Sequence, residues 1–129
     1  PPLSVDDLGP ADPAERIAGG IKSFEDVNLI EAPSQDSPYF FAGILNFVFG
    51  HLWLRPGLTR RERRLVTVPC VGVSDAIGPI WSHVTSALGS GDVSATEMDE
   101  LILHFRAYSG TPRARVLQDM ASQWQADQP

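Results

Sequence analysis

The strongest constraint on this chain is its helix punctuation. Cap-and-proline starts and glycine stops recur along it, with no alternating apolar and polar run long enough for a strand between them. Asp12 before Pro13 and Ser37 before Pro38 each pair a capping side chain with a proline at the first helical position, where the missing N–H is harmless. Thr59, Ser74-Asp75, the Ser94-Ala95-Thr96-Glu97 capping box and Thr111-Pro112 mark four further starts. Arg55-Pro56-Gly57 reads as a turn, and Gly89 to Gly91 and Gly110 close two helices. The pattern predicts an all-α chain of about six helices joined by short loops.

The predicted elements follow from these marks. A first helix runs from Pro13 to about Lys22, weakened by Gly19 and Gly20, and a buried apolar helix lies within Tyr39 to Leu54, which holds six of the eleven aromatic residues. Leu65, Val66, Val68 and Val71 give the third an apolar side, with Pro69 as a candidate kink. Ile77, Ile80, Trp81, Val84, Ala87 and Leu88 recur at three- and four-residue steps, the spacing of a helical stripe. The last two helices run from Ser94 to Gly110 and from Thr111 to about Trp124. With 129 residues the chain can bury a core without disulfides. Residues 13–125 read as one helical domain, residues 1–12 as a mobile N-terminal segment and residues 126–129 as a tail.

Charge and cysteine usage exclude several classes. Residues 1–36 carry eight acids and two bases, residues 37–129 carry eight acids and eight arginines, and Lys22 is the only lysine. Such a chain lacks the basic face that nucleic-acid binding needs, so no nucleic-acid partner is expected. The apolar run from Tyr39 to Leu54 is about 16 residues long and interrupted by Gly43, Asn46, Gly50 and His51, short of the ~20 that span a bilayer. The first thirty residues lack the charged, apolar, small-residue order of a secretory signal, so neither export nor a membrane is expected. Cys70, the only cysteine, allows no internal disulfide, CxxC pair or multi-thiolate zinc site, which points to a cytoplasmic protein. Set in VTVPCVGV, it reads as a small buried hydrophobe.

Three histidines, His51, His83 and His104, each lie near an apolar helical stripe. Imidazole titrates near neutrality and suits acid/base chemistry, although a lone histidine on an amphipathic helix is more often a satisfied boundary residue. Their separations of 32 and 21 residues match no local metal motif, so no metal is expected. Arg60, Arg61, Arg63 and Arg64 crowd the first turns of a helix, where the macrodipole disfavours cations. They read either as attraction for a carboxylate substrate, or as a solvated face or a pairing surface for an acidic segment of another subunit. Arg106, between Ile102, Phe105 and Tyr108, is either a partly buried cation or an edge residue. Asp75 reads as a helix cap or as a partner on the face of His83.

Four motifs then fall in a recognisable order. They are Gly50, Trp53, Arg55, Pro56, Gly57 and Leu58 in FGHLWLRPGL; Arg63, Leu65, Val66 and Thr67 in RRERRLVTV; His83, Ala87, Leu88 and Gly91 in HVTSALGSG; and Tyr108, Gly110, Pro112 and Ala114 in YSGTPRA. From about Tyr39 to Leu117 this order resembles the carboxymuconolactone decarboxylase family, its decarboxylase branch more closely than its alkylhydroperoxidase D-like branch, whose paired cysteines are missing. The resemblance implies an alkylhydroperoxidase D-like helical protomer in an oligomeric ring, a trimer or a hexamer of two trimers, with no cofactor and with His83 as the acid/base candidate. It also exposes departures. His51, Arg64, His104 and Arg106 replace the family's usual glutamate, acid, glutamine and small residue, and Ser74-Asp75-Ala76 with Gly78-Pro79 replaces the segment ahead of the histidine helix.

The expectation is a cofactor-free acid/base enzyme that decarboxylates or isomerises a small cyclic or lactone carboxylic acid. His83 and His51 are its catalytic candidates, and His104, Arg106, Tyr108, Trp53, Trp81 and Arg55 its substrate-binding candidates. Two alternatives accompany it: a tailoring enzyme for a larger natural-product or steroid intermediate, and a non-catalytic ring-forming binding protein. A thiol peroxidase is disfavoured by the single cysteine.

Overall fold

The computed structural model describes residues 9–34, 36–37 and 40–129, with side chains for all of these except 40–42. Every regular element among them is helical. In order they are α1 (Pro13–Asn28), a π-helical segment (Phe40–Phe49), a 3₁₀ turn (Leu52–Leu54), α2 (Arg60–Gly72), α3 (Ile77–Gly89), α4 (Ala95–Ser109) and α5 (Thr111–Ala126). The chain divides into two compact units, residues 1–59 and 60–129. The expected start at Pro38, and residues 1–8 of the N-terminal segment, lie outside the described residues.

In the first unit, Asp12 caps α1 as predicted, its side chain accepting from the amides of Ala14 (2.9 Å) and Glu15 (3.0 Å). The helix outruns its predicted end by six residues and closes at Leu29, which takes a left-handed φ of 58°. Two glycines should cost about 1 kcal/mol each in a helix interior. Packing reverses the argument at Gly20, where a Cβ would strike the Leu45 carbonyl, so a side chain there would separate α1 from the π-helical segment. Phe24 and Val27, beyond the predicted end, supply the apolar face that carries the helix on. They bury with Leu45, Phe49 and Trp53, Phe24 meeting Phe49 edge-on at 4.8 Å.

Over residues 43–54 the apolar run is only half buried. Leu45, Phe49 and Trp53, four residues apart, face the core, while Phe47, Leu52 and Leu54 are exposed. Arg55 is extended (ψ 141°), as its place before Pro56 requires.

In the second unit, α2, α3, α4 and α5 enclose one apolar core built on Val68, Ile80, Val84, Met98, Ile102, Phe105 and Leu117. The α3 stripe buries Ile80, Val84, Ala87 and Leu88, but Ile77 and Trp81 at its edge are exposed. On α2 the inward positions are Arg64, Val68 and Gly72, at i, i+4 and i+8. A Cβ at Gly72 would lie 2.9 Å from Phe105, so α2 packs tightly against that ring only because the residue is glycine. Pro69 leaves α2 unbroken to Gly72. The Ser94–Glu97 capping box forms as expected. In the turn before α3, Ser74 rather than Asp75 holds the backbone, its Oγ accepting from the Ala76 amide (3.3 Å), while Asp75 adopts a φ of 56°.

Candidate functional site

Helical stepping on α2 drives Arg64 into the core, where a cation needs partners, and the next two elements supply them. Its side chain has no exposed surface. Nη1 donates to Ser86 Oγ on α3 (2.8 Å) and Nε to Asp92 Oδ2 in the connection after α3 (3.3 Å). Asp92 also accepts two hydrogen bonds from Arg60 (2.7 and 3.0 Å) and one from Ser90 Oγ (3.0 Å). Burial raises the proton affinity of the Asp92 carboxyl, but the bonds from Arg60, Ser90 and Arg64 outweigh it and hold its pKa below the usual value. Arg61 donates to the Asp92 carbonyl (3.1 Å) and pairs with Glu97 (2.6 Å). Arg60, Arg61 and Arg64 thus find carboxylate partners within their own unit, with Asp92 shared between two of them, which neither reading of the arginine run anticipated.

His83 stands one turn before Ser86 on α3, so the two lie on one face of the helix. Burial, and then the charge of Arg64, push its imidazole down to a pKa of about 4, which keeps it neutral at pH 7. A desolvated imidazole beside a buried guanidinium is chemically poised: a carboxylate arriving there offsets the positive charge and raises the affinity of the ring for a proton.

The other predicted residues fall elsewhere. His104 and Tyr108, one turn apart on α4 with ring centroids 5.0 Å apart, line an apolar cavity of about 730 Å3 between α2 and α4. Leu65, Pro69 and Cys70 of α2, with Val73 just past its end, form one wall. Cys70, expected to be buried, is exposed at this wall because α2 turns Val68 rather than its thiol toward the core. Arg106 is exposed in the last turn of α4, where the helix dipole favours a cation, and Trp81 lies on the outer edge of α3. Neither His83, Arg106 nor Trp81 lines the cavity. Among the described residues no three His, Cys, Asp or Glu side chains group as metal ligands.

In the first unit, His51 Nε2 lies 3.1 Å from Arg55 Nη1, and the ring stacks on Phe47 at 5.7 Å. Guanidinium only donates, so His51 accepts at Nε2 and carries its proton on Nδ1. The pairing fixes the tautomer and leaves Nδ1–H as the ring's donor. Trp53 is buried against Phe49.

Sequence reasoning missed Arg64, Ser86 and Asp92 as a set. A usable signal existed: of the clustered arginines, Arg64 falls in step with Val68, four residues on, and so belongs to the inward stripe.

Comparison with known proteins gives this geometry its setting. A family model described as the carboxymuconolactone decarboxylase family matches residues 38–122. The 4-carboxymuconolactone decarboxylase of Acinetobacter baylyi is 34% identical over 80 residues, 62% of this chain and 59% of that protein. The nitrosuccinic acid decarboxylase of Metarhizium robertsii is 35% identical over 69 residues, 54% of this chain and 48% of that protein. The chain therefore spans about half to three-fifths of the length of these relatives. No solved structure gives a significant match. The family match covers the π-helical segment, the arginine-bearing α2 and the His83 helix in one continuous stretch, and the chain belongs to the carboxymuconolactone decarboxylase family.

Proposed function

We propose that this chain is a decarboxylase of small carboxylic acids in which His83 handles the proton. The observation that carries the reading is the desolvated, neutral imidazole of His83 beside the buried charge of Arg64. Both matched relatives are decarboxylases by name, of two different acids, which supports loss of CO2 as the reaction rather than any one substrate. Decarboxylation breaks a carbon–carbon bond and leaves an electron pair that an adjacent acceptor group must take up, after which carbon is protonated. The negative charge of the substrate lets His83 take a proton from solvent on binding, and the resulting imidazolium delivers it to carbon. Its low affinity in the free protein keeps the ring from being charged before substrate arrives.

The test is proton NMR of 4-carboxymuconolactone and of nitrosuccinate, each incubated with the protein. Turnover of either is expected above the uncatalysed rate, falling about 100-fold or more in His83→Ala. Equal rates for wild type and variant remove His83 from the mechanism.

The cavity between α2 and α4 favours a second reading, a tailoring step on a larger hydrophobic intermediate, because its volume and apolar walls exceed what a small acid needs. Turnover of such a compound, with both small acids inert, would select it. The exposed Phe47, Leu52 and Leu54 support assembly into the homo-oligomer that the family resemblance implies. Light scattering is expected to give a mass several times that of one chain, and a value near 14 kDa would refute assembly.

A further inference from the structure

We propose that Arg64 is a positioning residue: pinned between Asp92 and Ser86, it holds a fixed positive charge against the turn of α3 that carries His83, and so governs how that imidazole meets an anionic substrate. This rests on the decarboxylase reading for its purpose but not for its test.

The geometry carries the inference. Arg64 has no exposed surface, so it does not touch a molecule arriving from solvent and acts through its neighbour. Two hydrogen bonds fix the guanidinium plane, Nη1 on Ser86 of α3 and Nε on Asp92. Because Ser86 lies three residues after His83, a guanidinium held to Ser86 is held over the face that His83 shares. Lysine at this place would carry the same charge without the planar fork that reaches two partners at once. Arg60 braces the arrangement by binding Asp92 through both carboxylate oxygens, which leaves that side chain little freedom to swing away.

The charge that bears on His83 is that of Arg64 on α2, which is itself tied to Asp92 in the connection after α3 and, through Asp92, to Arg60. The α5 helix contributes Ala114, Leu117 and Ala121 to the core it shares with α3, none of them titratable. A simple scaffold role for Arg64 would need only volume. A positioning role needs its charge, and the two separate experimentally.

The experiment is an NMR pH titration of the histidine Cε1–H signals in the full chain, with no substrate present, the His83 signal being assigned by its loss in His83→Gln. Arg64→Gln is expected to raise the His83 midpoint by about one pH unit, a tenfold gain in proton affinity, whereas Arg64→Lys keeps it near the wild-type value. The same midpoint in wild type and Arg64→Gln, or equal shifts in Gln and Lys variants, would overturn the proposal in favour of packing alone. Should Arg64→Gln not fold, Arg64→Met gives the reading instead. It removes the charge at similar volume while Asp92 stays paired with Arg60, so the protonated fraction of His83 at pH 4.5 is expected to rise. An unchanged or smaller fraction would refute the proposal. Since neither arm needs turnover, failure of the decarboxylase reading leaves a distinct signature: inert substrates with these titrations intact.

Discussion

The two long sides of α2 invert the usual relation between polarity and burial. Toward α3 the helix buries a guanidinium, Arg64, and surrounds it with Ser86 and Asp92. Toward α4 it leaves Leu65 and Pro69, and Val73 just past its end, around an open cavity, with Cys70 exposed among them. Burying a charge is costly, and open apolar surface forgoes about 25 cal/mol per Å2. Neither arrangement is what stability alone would select. The two sides answer to different demands, charge placement on one and room for an apolar guest or partner on the other.

The polar side is the more vulnerable. Asp92→Ala strands the buried Arg64 charge and should cost about 3–5 kcal/mol of unfolding free energy, read from urea denaturation at pH 7. Lowering the pH comes next. The folded protein holds His83 neutral down to about pH 4, whereas the unfolded chain takes up that proton near 6.5. The contribution of the neutral ring is therefore complete above pH 6.5 and is lost as the pH falls from 6.5 toward 4, about 3 kcal/mol in all. Urea denaturation across that window should show the slope in wild type and a flatter one in His83→Gln. The smallest effect sharpens the contrast from the open side. Tyr108→Ala, on a residue 81% exposed, should move stability by no more than about 0.5 kcal/mol; a loss above 1 kcal/mol would mean that the cavity wall is structural after all.

Legibility in the sequence was uneven for identifiable reasons. Asp12 with Pro13, and Ser94 with Glu97, are local devices whose hydrogen bonds close within three residues, so residue identity alone predicts them. The length of α1 was not legible because Gly20 is judged unfavourable by propensity and favourable by its approach to Leu45, and only the second depends on a neighbour from elsewhere in the chain. His83 was found through its motif, and the residues that shape its surroundings were not. Arg64 looked like one more member of a charged run, and Ser86 and Asp92 lie 22 and 28 residues further on. His104 and Tyr108 were identified singly, but the cavity they share with Cys70 depends on the spacing of α2 and α4.

Gly110 stands alone between α4 and α5, the two longest helices of residues 60–129, and takes a φ of 88° that favours glycine. Closing so short a connection forfeits little chain entropy, so this pair can find its mutual register while the rest of the unit is still open. The hairpin then offers Ile102, Phe105 and Leu117 as a ready apolar seat on which α2 docks through Gly72. In kinetic terms, so local a pairing is expected to form early. The turn carrying His83 is then expected to be organised later, on a platform already in place.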